Sequence, residues 1–140
     1  MSAVSIPQTA PAATALVIVG AGLAGWTTAR EFRKLDTSTP IVLVTADSGD
    51  FYAKPSLSNA FAQKRSPEQL VSTPAAKMAE TLNVTLMAHA NVSRVETASR
   101  TVTLTHSDAV HTLVYSQLVL ATGAQPIRVP VQGNAADQVR

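Results

Sequence analysis

The sequence predicts an α/β fold, a parallel sheet built around a strand–helix–strand unit, with an antiparallel meander attached. Three observations carry this reading. A short apolar run, Leu16–Val19, leads directly into glycines at Gly20, Gly22 and Gly25 and then into a helix-like stretch. A second apolar, β-branched run follows at Ile41–Val44. Three short runs that alternate apolar and polar residues then lie over 92–96, 101–105 and 111–115, ahead of a last apolar run at 118–121.

Leu16–Val19 is continuously apolar, as a parallel strand buried on both faces should be. Over residues 23–35, Leu23, Trp26, Ala29, Phe32 and Leu35 form an apolar stripe and leave Arg30, Glu31, Arg33 and Lys34 for solvent, the pattern of an amphipathic helix. The helix ends before Asp36-Thr37-Ser38-Thr39-Pro40, and Ile41–Val44 completes a βαβ unit. The segment "DSGDFYAKPSLSNAFAQKRSPEQL" is rich in turn residues and reads as loop plus short helix, with a helix start at Ser66-Pro67-Glu68. Residues 74–82 allow another helix, and Val84–Met87 a third strand of the main sheet. The three Thr- and Val-rich runs, separated by polar turns, form the meander. The run at 118–121 turns at Gly123, and no internal repeat is present.

The chain has 140 residues, enough for one domain with its own core. A net charge of +2 with only 14% charged residues gives no basis for a nucleic-acid partner or a trap for acidic substrates. Cysteine is absent, which excludes disulfides, thiolate metal sites and catalytic thiols from these residues and agrees with a reducing, cytoplasmic compartment. Residues 1–15, "MSAVSIPQTAPAATA", read as a flexible tail without the features of a secretory signal, and residues 16–140 as the domain. No run approaches the ~20 apolar residues of a membrane helix, so no membrane partner is expected. His89, His106 and His111 lack metal-site spacing, no GxSxG elbow occurs, and the triplets at Asn83 and Asn91 match a glycosylation pattern by coincidence. No metal ligand and no catalytic side chain is expected.

Gly20, Gly22 and Gly25 fit the three demands of a Rossmann-like dinucleotide loop: a tight turn, backbone approach to a pyrophosphate, and close packing of helix on strand. The amides and dipole at the start of the following helix favour a bound phosphate. Asp47 lies 22 residues beyond Gly25, close to the spacing at which an acid meets an adenosine ribose. Two plainer readings stand beside these: Asp47 opening a turn with Ser48-Gly49-Asp50, and a glycine loop that binds nothing.

"LVIVGAGLAGWTTAREFRKLD", "IVLVTADSGDFYAKPSLS" and "LVLATGAQPIRVPVQG" resemble, in order and spacing, the N-terminal part of the pyridine-nucleotide-dependent flavoprotein reductases. The resemblance covers residues 16–133 and is nearest to the rubredoxin reductase branch, through Lys54-Pro55 where many relatives have Arg-Pro. It implies an incomplete FAD/NAD(P)-binding domain with FAD as cofactor and NAD(P)H as co-substrate of the complete family members. It further implies that Gly20, Ala21, Gly22, Ala24 and Gly25 face the pyrophosphate and Asp47 the ribose. Lys54 and Pro55 would lie beside the flavin, Val92 would offer backbone hydrogen bonds to adenine, and Ala121, Thr122 and Gly123 would pass near the cofactor. Arg128 would approach the flavin or its phosphates. Taken without the family pattern, Lys54 and Arg128 are solvated charges, Pro55 a turn former, Val92 a meander core residue and residues 121–123 a strand end.

Related disulfide reductases carry a reactive cysteine pair near the loop that here reads "FYAKPSLSNAF", with Ser56 and Ser58 but no sulfur. Serine has no reversible thiol chemistry, so the resemblance implies direct electron transfer from the flavin to a small iron carrier, rubredoxin or ferredoxin. Alternatives are a ferredoxin reductase-type flavoprotein of an oxygenase system, an NAD-binding Rossmann module, and an interaction domain with an empty loop. Complete family members are much longer, and the expectation is a truncated N-terminal part of the FAD domain with no turnover of its own.

Overall fold

The computed structural model describes residues 15–125 together with residues 127, 130, 132 and 133. Arg128 and residues 1–14 of the expected tail lie outside the described residues.

Strand β1 (Leu16–Val19) leads through the glycine loop into helix α1 (Leu23–Leu35) and on to β2 (Ile41–Val44). The connection that follows holds 3-10 turns at Lys54–Ser56 and Pro67–Leu70 and a one-turn helix α2 (Leu57–Ala60). Helix α3 (Ala75–Leu82) and β3 (Val84–Met87) come next, then the meander of β4 (Ala90–Glu96), β5 (Thr101–His106) and β6 (Ala109–Val114), and finally β7 (Gln117–Leu120). The parallel sheet has the order β3-β2-β1-β7, and the meander forms a separate antiparallel sheet, β4-β5-β6. Ile18 stands in register with Leu43 on one side and Val119 on the other. The fold is therefore the expected α/β arrangement, with the βαβ unit at its centre.

The continuous apolar runs are explained by two cores, one on each face of the parallel sheet. Leu16 and Ile18 of β1, with Ile41 and Leu43 of β2, meet Trp26 and Ala29 of α1 and Ala75 of α3. Val17, Val19 and Val44 point the other way, onto Val102 and Leu104 of the meander and Tyr115. Alternate residues of one strand thus serve different layers, and burying each side chain contributes about 1.5–3 kcal/mol.

Helix α1 departs from its expected stripe at both ends. Leu23 is 56% and Leu35 89% exposed, while Gly25, Trp26 and Ala29 are buried and Phe32 packs beside them. A three-residue spacing lags the helical turn by about 60° per step, so Leu23 and Leu35 lie roughly 120° to either side of Ala29. Arg33, expected in solvent, is instead half-buried. Its guanidinium donates to the carbonyls of Asp36 and Thr39 in its own loop and of Leu82 and Asn83 at the end of α3. Helix C-termini leave carbonyls without partners, and one planar fork answers two of them at the end of α3 together with two carbonyls of the loop after α1.

The remaining elements fall close to expectation. Pro74 precedes α3, whose first amide, Ala75 N–H, donates to Asp50 Oδ1 at 2.8 Å, and Asn83 ends it in the left-handed region. Ser66-Pro67-Glu68 opens a 3-10 turn in place of an α-helix, with the Ser66 amide donating to Gln69 Oε1. β6 begins at Ala109, two residues before its expected start, because Ser107 and Asp108 both adopt positive φ and make a two-residue hairpin turn. Tyr115 leaves the strand and is buried, its amide bonded to Arg100 O.

Candidate functional site: a cleft at the strand ends

β1 has β2 on one side and β7 on the other, so the chain direction across the sheet reverses at β1. In open α/β sheets ligands bind outside the carboxyl ends of the strands at such a reversal. A cleft of about 630 Å³ opens there, lined by the ends of β1, β2 and β7, by the loop over residues 45–54 and by the start of β4.

The glycine loop forms its floor. Gly20 has φ +109°, and a Cβ there would stand 2.1 Å from Ala121 O. A Cβ on Gly25 would stand 1.8 Å from Gly20 O. These two glycines are required by the fold itself, the first by the turn and the second by the contact of helix with loop. Gly22 is different: its φ of −76° and ψ of −166° suit any residue, and a Cβ there meets nothing within 4 Å. A side chain at this position would project into open space over the first turn of α1. No side chain caps that turn, and among the described residues the amides of Gly22, Leu23 and Ala24 have no protein acceptor. Free amides at a helix start, with a clear approach to them, are what a bound phosphate requires. The Gly20 amide is committed to Val44 O, and the Ala121 amide to Val19 O, so the loop is anchored from both neighbouring strands.

Asp47 lies on the cleft wall beyond β2. Its Oδ1 accepts from Thr45 Oγ1 at 2.6 Å and from the Gly49 amide at 2.9 Å, the geometry of a side-chain-stabilised turn. The turn role therefore belongs to one oxygen only, and the second faces no protein donor among the described residues. Trp26, buried under α1, donates Nε1–H to Gly49 O at 2.8 Å and ties this turn to the helix.

Of the other expected site residues, Ala21, Lys54, Val92, Ala121, Thr122 and Gly123 also line the cleft. Lys54 Nζ lies 3.4 Å from where a Cβ on Gly123 would be, and Gly123 has φ +71°, so the lysine and the turn after β7 meet across the opening. Val92 both borders the cleft and packs on the meander core. Ala24, Gly25 and Pro55 do not line the cleft; Ala24 lies in the first turn of α1 and Pro55 in the 3-10 turn that Lys54 opens. Sequence reasoning missed Thr45, Asp50 and Asn91 on the cleft wall. The spacing Thr45-x-Asp47-x-Gly49 directly after a strand was the available sign for the first. Among the described residues no group of three or more His, Cys, Asp or Glu is placed to hold a metal, and no helix is long and apolar enough to cross a membrane.

The chain is similar to known proteins in sequence and in fold. The rubredoxin-NAD(+) reductase of Alcanivorax borkumensis is 42% identical over 124 residues, which cover 89% of this chain and 31% of that protein. The enzyme of the same name from Acinetobacter baylyi is 37% identical, with coverage of 89% and 32%. This chain thus spans about a third of the length of these curated relatives. A crystal structure of the covalent putidaredoxin reductase–putidaredoxin complex superposes with a TM-score of 0.73 at 32% identity, covering 89% of this chain and 29% of that one. The profile described as pyridine nucleotide-disulphide oxidoreductase matches residues 14–140, although no cysteine stands among them to form a disulphide. With that match spanning nearly all of its residues, the chain belongs to the pyridine nucleotide-disulphide oxidoreductase family.

Proposed function

We propose that this chain is the FAD-binding part of a cytoplasmic NAD(P)H-dependent flavoprotein oxidoreductase of the rubredoxin reductase kind, which passes electrons from NADH to a small iron carrier. The observation that carries the reading is Gly22, a glycine that neither its backbone angles nor its neighbours require, set over unpartnered helix amides. It leaves room for a diphosphate.

The first turn of α1 would hold the diphosphate of FAD, Asp47 the adenosine ribose and the backbone near Val92 the adenine. Lys54 and residues 121–123 would border the flavin. When bound, FAD supplies the redox chemistry, hydride uptake and release of single electrons. The residues of this chain bind it, orient it and set the charge around it. The absence of cysteine favours electron release straight to an external carrier, since no thiol pair is available within these residues. A ferredoxin-type carrier is the second reading, favoured by the 32% identity to the reductase in the putidaredoxin complex. The 140 residues alone are proposed to bind without turnover, because the relatives they match are about three times as long.

Calorimetric titration of the purified chain with FAD, ADP and NADH tests the reading. FAD and ADP are expected to bind to the wild type, and Gly22→Val to abolish that binding while leaving the circular dichroism spectrum unchanged. Heat with NADH alone would favour an NAD module, and no heat with any of the three would refute a nucleotide site.

A further inference from the structure

We propose that Thr45 is a positioning residue for ribose recognition: its hydroxyl engages one oxygen of Asp47 and thereby presents the other to a vicinal diol. The inference rests on the reading of the cleft as an adenine-nucleotide site.

Thr45 follows β2 directly and is 6% exposed, the one buried polar side chain among the described residues. A buried hydroxyl requires a partner, and this one donates to Asp47 Oδ1 at 2.6 Å. The Gly49 amide donates to the same oxygen at 2.9 Å, and no protein donor reaches Oδ2 among the described residues. An exposed aspartate ordinarily exchanges its two oxygens by rotation about its side-chain bonds. Two donors converging on Oδ1 select one orientation and leave Oδ2 as a fixed acceptor on the cleft wall.

The donors are themselves fixed. The Thr45 amide donates to Met87 O and its carbonyl accepts from Ala90 N–H, so its backbone is held between β3 and β4. Gly49 is buried with φ +78°, its carbonyl held by the Trp26 indole. A carboxylate oxygen fixed before the ligand arrives loses little freedom on accepting hydroxyl donors, and hydrogen bonds to a charged acceptor are the stronger kind. Thr45 reaches no ligand itself in this scheme; it acts through Asp47.

The test compares ADP with 2′,3′-dideoxy-ADP, which lacks both ribose hydroxyls, by calorimetry on the purified chain. The wild type is expected to prefer ADP by about tenfold or more. Thr45→Val, which keeps the β-branched shape and both backbone bonds, is expected to erase most of that preference while leaving the affinity for the dideoxy compound unchanged, and Thr45→Ser to restore it. Asp47→Ala should remove the preference outright, and adding Thr45→Val to it should change nothing further. Should valine impair folding, Thr45→Ala carries the same comparison. A preference for ADP that survives Thr45→Val and Thr45→Ala, or losses from Thr45→Val and Asp47→Ala that simply add, overturns the proposal alone. Failure of the wild type to bind either nucleotide overturns it together with the site reading beneath it.

Discussion

Gly20 and Gly25 lack side chains because loop backbone already stands where a Cβ would go, at 2.1 Å from Ala121 O and 1.8 Å from Gly20 O respectively. Gly22 lacks one although nothing in the fold forbids it. The three positions should therefore separate in experiment. Gly20→Ala and Gly25→Ala are expected to cost about 2 kcal/mol or more in urea denaturation, from positive-φ strain at the first and overpacking at both. Gly22→Ala should cost about 1 kcal/mol or less, the penalty of alanine at a helix N-cap, yet weaken FAD binding at least tenfold. Equal destabilisation by all three would show that the second glycine is structural too. All three glycines were legible in the sequence by their spacing after an apolar run. Their division into a turn, a ligand approach and a packing contact was legible there too; what was not legible is that Ala121, far along the chain, supplies the backbone that stands against Gly20.

Helix α1 shows the same limit one level up. Its period, its start after the glycines and its end at Asp36 can all be read from residues 16–40, but Arg33 cannot. Two of the carbonyls it binds belong to Leu82 and Asn83, 49 and 50 residues further on, and only the packing of α1 against α3 brings them near. Arg33→Ala is expected to lower stability by about 1–3 kcal/mol, and Arg33→Lys to recover only part of it, since an ammonium lacks the planar fork. A loss below 0.5 kcal/mol, on the order of an ordinary surface change, would contradict the clamp. At the end of the same helix the Asp36 carboxylate accepts from the Thr39 hydroxyl and amide and from the Ser38 amide and hydroxyl, in that order of influence, and these bonds hold its pKa well below the ordinary 3.8. A depressed folded pKa stabilises the native state above the unfolded value, and that stabilisation drains away as pH falls through the folded one. Asp36→Asn should accordingly lower the melting temperature at neutral pH and flatten its decline below about pH 4. A decline as steep as the wild type's would assign the acid sensitivity to other groups.

Across the whole molecule, the cleft exists because β7 returns to pair with β1, a junction sealed where the Ser116 hydroxyl and amide reach Ala15 O from 101 residues away. A ligand seated there contacts the first βαβ unit, the loop of Lys54, the meander and the turn after β7, so it should stabilise the fold as one unit. FAD at 100 times its dissociation constant is expected to add about 2.7 kcal/mol, read as a rise in melting temperature that Gly22→Val abolishes. A rise that persists in Gly22→Val would place binding elsewhere. By itself the sequence determined the strands, the main helix, the fold class and the glycine loop, because apolar period, glycine spacing and helix-end chemistry are local properties of a few consecutive residues. Only the tertiary structure decided that Arg33 is a clamp and that Lys54 meets Gly123. Each of these depends on groups distant in the chain being packed within hydrogen-bonding or van der Waals reach, and no local pattern encodes that distance.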